Sequence, residues 1–196
     1  MFRELHFPTP IYIADIKHPT LNQELERDIV AWSKQDKGIT RTIINGWHSH
    51  TDMHKIPVFK PLVDELFKMQ FEVFNEEHLA REPIIGNMWA NINPPGGYNR
   101  PHIHPNSHFS GVYYIKATKD SGDIVFNDPR STSHMAMPAR KEGEPPKHLW
   151  REVRVNPMVG RIIMFPAWLW HCVDPNNTND IRISVSFNFI QKGFNV

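Results

Sequence analysis

The sequence predicts a mainly β chain with two flanking helices, folded as a sandwich or a jelly-roll barrel. Three observations predict it. Apolar residues recur at helical spacing only before about residue 83. From residue 84 onward the period changes to two, as on strands whose successive side chains point to opposite faces. Turn signals, Pro94-Pro-Gly-Gly97, Ser121-Gly122 and Asn176-Asn177, cut that region into short pieces. Short strands with turns between them build sandwiches and barrels.

Taken in order, residues 9–16 read as a short strand. Leu21, Leu25, Ile29 and Trp32 then lie at helical spacing, with Thr20 available as the cap. A second helix is expected from Pro61 to Ala80. Proline suits its first turn, and Val63, Phe67, Phe71 and Phe74 form an apolar stripe that core packing explains. Strands follow at Asn87–Asn93, Phe109–Lys116, Asp123–Asn127, Arg151–Val155, Arg161–Phe165 and Ile181–Ile190. Residues 131–149 lack a period and read as a long loop of the kind used as a lid or binding loop.

The last strand is the most informative. Ile181, Ile183, Val185, Phe187 and Phe189 share one face, which must be buried. Arg182, Ser184, Ser186 and Asn188 share the other, which either meets water or lines a polar interior able to hold an anion. The face carrying Asn87, Trp89, Asn91 and Asn93 has the same two readings.

The 196-residue length suits one domain, with 1–83 as helical support and 84–196 as the β core. Net charge is +1 with no long basic run, which argues against nucleic-acid binding, since phosphate contacts need a concentrated positive face. The single cysteine, Cys172, excludes an intramolecular disulfide and suits a reducing compartment. The N-terminal residues carry no apolar signal segment, and no run reaches the roughly 18 apolar residues that cross a bilayer. The expectation is a cytoplasmic protein with no membrane contact.

Three of the 12 histidines stand out. His102 and His104 form a His-x-His pair, and on a strand residues i and i+2 point to the same side, so both imidazoles can reach one ion. His171, in Trp-Leu-Trp-His-Cys, is a distant third ligand that would complete a facial set with open positions left over. A surface pair is the bland alternative. His171 and Arg182 flank a segment that reads as a hairpin with its tip near Asn176-Asn177, which would place them opposite one another on paired strands. A forked, permanently charged donor beside an open metal site suits a carboxylate.

At this point a resemblance can be named. Tyr98-Asn-Arg-Pro-His-Ile-His-Pro-Asn, Ser110-Gly-Val-Tyr-Tyr-Ile, the run from Gly160 through Phe165-Pro-Ala-Trp-Leu-Trp to His171, and Arg182-Ile-Ser-Val-Ser-Phe-Asn resemble the motifs of 2-oxoglutarate, iron(II)-dependent oxygenases. More narrowly, with Gly46-Trp-His-Ser and Asp128-Pro-Arg added, the chain resembles an oxygenase family of bacteria and marine phages related to prolyl hydroxylases. The resemblance implies a double-stranded β-helix, or cupin-like, barrel. It implies Fe(II), 2-oxoglutarate and O2, and hydroxylation of an unidentified small-molecule or peptide substrate with release of succinate and CO2. It assigns His102 and His171 to the metal, and Arg182, Ser184 and Tyr114 to the co-substrate; His104 is taken as the third metal ligand and Asn93 as a further co-substrate contact.

There is one departure. The wider superfamily usually carries Asp or Glu where this chain has His104. Either His104 is the ligand, or Asp123, Asp128 or water takes its place. The departure keeps a rival open, a three-histidine cupin-type enzyme that does not use 2-oxoglutarate; a non-catalytic jelly-roll binding module is the other. His48, His50 and His54 are weaker metal candidates. His108, Arg130 and Trp168 could face substrate, and Cys172 is expected to be buried and inert.

Overall fold

The computed structural model describes residues 1–136 and 138–194. Along the chain run β1 (Tyr12–Asp15), α1 (Pro19–Gln35), β2 (Ile43–Ile44), β3 (Trp47–His48), α2 (Lys60–Glu76) and β4 (Pro83–Asn93). Then follow β5 (Tyr98–His102), β6 (Phe109–Lys116), β7 (Ile124–Asn127), β8 (Glu152–Val155), β9 (Arg161–Pro166), β10 (His171–Val173) and β11 (Arg182–Gln191). The strands form a six-stranded sheet in the order β1-β9-β6-β11-β4-β3 and a five-stranded sheet in the order β2-β5-β10-β7-β8. All strand pairings are antiparallel. This is the jelly-roll arrangement of a double-stranded β-helix, as the sequence predicts.

The six-stranded sheet is buried on both faces. One face carries Ile183, Val185, Phe187 and Phe189 of β11 and Tyr113 and Ile115 of β6, and packs against Leu21, Leu25 and Ile29 of α1 and Leu62, Leu66 and Val73 of α2. The opposite face looks into the barrel, where Val112, Tyr114, Ile163 and Phe165 meet Ile124 and Phe126 of the second sheet. Central β6 therefore reads as buried along almost its whole length. Gly111 is needed there because a Cβ would sit 2.4 Å from the Phe187 ring and 2.8 Å from the Ile163 carbonyl. The polar positions of β11 thus line the interior rather than meeting bulk water, which decides between the two readings of that face.

Local details differ from expectation. The cap of α1 is His18, whose Nδ1 accepts from the Leu21 amide at 3.4 Å, and not Thr20. Pro19 already occupies the first turn, so Thr20 lies inside the helix. α2 stops at Glu76 rather than Ala80 because His78 adopts a left-handed φ of 53°. Leu79 N then donates to Phe74 O at 2.9 Å and His78 N to Asn75 O at 3.2 Å, closing a Schellman motif. The buried stripe of α2 is Leu62, Leu66, Met69 and Val73, with Phe74 beside it, while Phe71 is exposed. Val63 and Phe67 of the expected stripe are partly buried against the same core, Phe67 on the Phe189 ring, so the buried face is turned by about one residue from the expected one.

The largest correction concerns residues 174–181. They do not join paired strands: β10 belongs to the five-stranded sheet and β11 to the six-stranded one. The segment carries the chain from one sheet to the other, tied by Asn176, whose Nδ2 donates to Asn93 O at 3.0 Å and Asp180 O at 2.7 Å. His171 and Arg182 are therefore not opposite one another on a hairpin. In the 131–149 segment the described residues hold two short 3-10 turns and no strand.

Candidate metal centre

Two neighbouring strands supply two of the histidines. β5 and β10 pair so that His102 stands directly opposite His171. His104 lies just beyond the end of β5, where its amide donates to Ala167 O at 2.9 Å and keeps the chain close to the start of β10. Ring centroids are 4.3 Å apart for His102 and His171, 4.9 Å for His102 and His104, and 5.1 Å for His104 and His171. One ligand atom from each lies within 4.8 Å of the others, so all three can reach one ion.

The protonation pattern suits a cation. Nδ1 of His102 lies 2.6 Å from Arg100 O, and Nδ1 of His171 lies 2.8 Å from Leu169 O. A carbonyl can only accept, so both Nδ1 atoms carry hydrogen and both Nε2 atoms offer a lone pair. Nε2 of His104 sits 3.2 Å from Nε2 of His171. Since His171 Nε2 is an acceptor, His104 Nε2–H donates to it in the metal-free protein, and a cation held by both nitrogens would take the place of that proton. Desolvation, reinforced by the neighbouring imidazoles, pushes His104 and His171 down to about 3, and burial lowers His102 as well. All three are neutral at pH 7 and ready to coordinate.

This burial has a measurable cost. In the unfolded chain a histidine takes up its proton near pH 6.5, whereas the folded, metal-free protein keeps His104 and His171 neutral to far lower pH. The unfolded state therefore binds more protons below about 6.5, and stability falls as pH drops towards 3. Between pH 7 and 5 the melting temperature of metal-free protein is expected to decline, and a flat profile would contradict the assigned burial.

Across the barrel interior lies the second cluster. Arg182, the first residue of β11, is 1% exposed. Its Nη1 donates to the carbonyls of Ser121, Gly122 and Asp174. Nε and Nη2 have no hydrogen-bond partner among the described residues, so half of the guanidinium fork remains available. Gly122 permits this grip, since at its φ of +100° a Cβ would come within 2.2 Å of Asp174 O and 2.6 Å of Nη1. Arg182 faces Asn93 on β4, and Ser184 faces Asn91 on β4 and Tyr114 on β6. The Tyr114 hydroxyl, both amide atoms of Asn93 and Oδ1 of Asn91 are buried without partners. Burial pushes the Tyr114 hydroxyl up to about 12, so it stays a donor. The cavity between the clusters is bounded by His102, His104, His171, Tyr114, Arg182 and Ser184, and none of its described lining residues is an Asp or Glu.

Predicted positions sort accordingly. The three histidines come together, and Arg182, Ser184 and Tyr114 share their cavity, while Asn93 pairs with Arg182 across the strands but is not among the residues that line it. Asp123 and Asp128 stand outside the cluster: Asp123 accepts from Asn156, and Asp128 pairs with Arg130. Arg130 instead lines a separate cavity of about 400 Å³ with Trp150 and Phe126. Trp168 is exposed, His108 packs on the Phe194 ring, and His50 lies 3.5 Å from Asp36. His48 and His54 are not part of the metal cluster. Cys172 is half-buried rather than fully buried, and burial raises its thiol pKa. Trp89 and Ser186, which line the same cavity, were visible in the sequence only as members of polar-patterned strand faces.

A jelly-roll interior holding three converging neutral imidazoles and an unspent guanidinium fork defines the class of non-haem metalloproteins that take an anionic ligand beside the metal. The family follows from the sequence match: residues 87–188 fit the model described as "Putative 2OG-Fe(II) oxygenase", and the chain belongs to that family. It is accordingly an oxygenase that depends on Fe(II), 2-oxoglutarate and O2. No curated protein matches it in sequence. In fold it is similar to a prolyl-4-hydroxylase of Pseudomonas putida, at 15% identity and TM-score 0.68 over 94% of both chains. It is also similar to HygX of Streptomyces hygroscopicus, solved with nickel and 2-oxoglutarate bound, at 8% identity and TM-score 0.67 over 94% of this chain and 84% of that one. The viral collagen prolyl hydroxylase of Paramecium Bursaria Chlorella virus-1 matches at 15% identity and TM-score 0.55 over 91% and 94%. Among the described residues, no helix is long and apolar enough to cross a membrane.

Proposed function

We propose that His102, His104 and His171 hold the iron, and that Arg182, with Ser184, Tyr114 and Asn93, holds the far carboxylate of 2-oxoglutarate. The observation that carries this reading is the buried guanidinium with two unused nitrogens in a cavity whose described lining contains no carboxylate. A buried charge left without a counter-ion is costly, so the site is complementary to an anion it does not itself contain. When bound, the iron and 2-oxoglutarate together supply the oxidising chemistry, with succinate and CO2 as co-products.

The chain's own residues do the rest. The Arg100 and Leu169 carbonyls aim two imidazoles at the metal position. Arg182 and the Tyr114 hydroxyl set the direction and depth of the co-substrate, and the apolar wall of Val112, Ile124 and Phe165 keeps bulk water from the cavity. Three neutral ligands leave the ferrous centre one unit more positive than a set containing a carboxylate, which favours a dianionic co-substrate. The prime substrate is a small molecule or a peptide, hydroxylated in the cytoplasm of a bacterial or phage-infected cell. Residues 1–83 brace the barrel with two helices and lend it three short strands, β1, β2 and β3, while its other strands lie almost wholly in 84–196.

Anaerobic Fe(II) titration with and without 2-oxoglutarate, followed by a succinate assay, tests the reading. A visible band that appears only with both and saturates stoichiometrically is expected. Iron binding with no such band would sink the co-substrate assignment and favour three-histidine chemistry of another kind.

A further inference from the structure

We infer that Trp89, stacked by His48, is the positioning residue for His104; this rests on the reading of His104 as an iron ligand. The three imidazoles are not held alike. His102 and His171 each donate Nδ1–H to the carbonyl two residues back, which fixes ring rotation. Nδ1 of His104 has no hydrogen-bond partner among the described residues. The backbone bond from His104 to Ala167 places its Cα, and the ring's one hydrogen bond, Nε2 to His171 Nε2 at 3.2 Å, uses the atom that would face a metal, so it cannot orient the ring once an ion is bound.

Rings take over that task. The His104 imidazole packs against the other two histidines and against Trp89, whose centroid is 5.8 Å away and which is the one ring of the three that is not itself a proposed ligand. Trp89 is 9% exposed and lies on the interior face of β4. It lies nearly parallel to His48, with centroids 5.4 Å apart and planes 7° apart. His48 is in turn buried, with its Nδ1 bonded to Ser49 O at 2.6 Å, and β3 pairs it across from Asn91. The Gly46-Trp-His-Ser segment thereby gains a role, as the support of a ring stack that ends on a metal ligand. Packing replaces the carbonyl that orients the other two imidazoles, and supporting partners of this kind affect metal affinity by about 10–100-fold.

Fe(II) affinity of the anaerobic protein, read by competition with a chromophoric chelator, separates positioning from core packing. Trp89→Leu is expected to weaken Fe(II) by about 10–100-fold and to shift the visible band formed with 2-oxoglutarate. Trp89→Phe, which keeps a ring, recovers most of the loss and keeps the test open should the leucine variant fail to fold. His48→Leu shows a smaller loss in the same direction. In a His104→Ala background the Trp89→Leu change adds nothing, because both act through one ring. Unchanged Fe(II) affinity in Trp89→Leu, or an equal further loss in the His104→Ala background, overturns the inference. If His104→Ala alone binds Fe(II) as tightly as the parent, the ligand reading itself is wrong and the inference falls with it.

Discussion

Arg182→Ala is expected to raise the 2-oxoglutarate concentration for half-maximal turnover by at least about 30-fold, because truncating one partner of a buried charge pair costs about 2–5 kcal/mol. The guanidinium is 1% exposed, so little solvent screening softens the loss. The effect should fall mainly on KM, since the far carboxylate is bound equally before and during the chemistry. Nη1 also ties down the carbonyls of Ser121, Gly122 and Asp174, so the alanine variant loses stability too. Arg182→Lys separates the two effects. It keeps the charge but not the fork, and should fall between parent and alanine variant in affinity. Calorimetry of 2-oxoglutarate binding to the Fe(II) protein checks this, and unaltered binding in Arg182→Ala would remove the residue from the site.

His171→Ala is expected to abolish measurable succinate formation and to weaken Fe(II) by more than about 100-fold, beyond what loss of a supporting partner costs. His171 stands in register with His102 and is the most deeply buried of the three histidines, walled in by the Phe165 and Phe126 rings at 4.6 and 6.1 Å. Its removal leaves a cavity, and stability should fall by an amount typical of a large-to-small core change, about 2–5 kcal/mol. His171→Gln keeps most of the volume and isolates the coordination effect. Folded His171→Gln protein that still binds Fe(II) with parental affinity would show that the metal sits elsewhere.

Much of this site was legible before any coordinates. Period two along β11 placed Arg182 and Ser184 on one face, and the spacing in His-x-His put two imidazoles on one side of the chain. The resemblance supplied the role of Tyr114. What periodicity cannot report is which sheet a strand joins. The turn-like segment after His171 suggested a paired hairpin, yet the chain crosses between sheets there, and the metal cluster and the guanidinium face each other across the barrel. The same limit applies to α2, where the expected stripe of Val63, Phe67, Phe71 and Phe74 gave way to Leu62, Leu66, Met69, Val73 and Phe74 once the helix met the sheet.

The sequence by itself determined the sequence-local quantities: the longer strands and the two helices to within a few residues, the apolar or polar nature of the last strand's faces, and the residue types able to bind a metal and a carboxylate. These follow from side-chain alternation and chemistry within a few residues. Tertiary structure alone decided that Asp123 and Asp128 lie outside the centre and that His104 rests on Trp89 rather than on a carbonyl. It also decided that the polar face of β11 is turned inward to leave Arg182 with half its donors unspent. Those facts depend on distances between residues far apart in the chain, set by how two sheets close on one another.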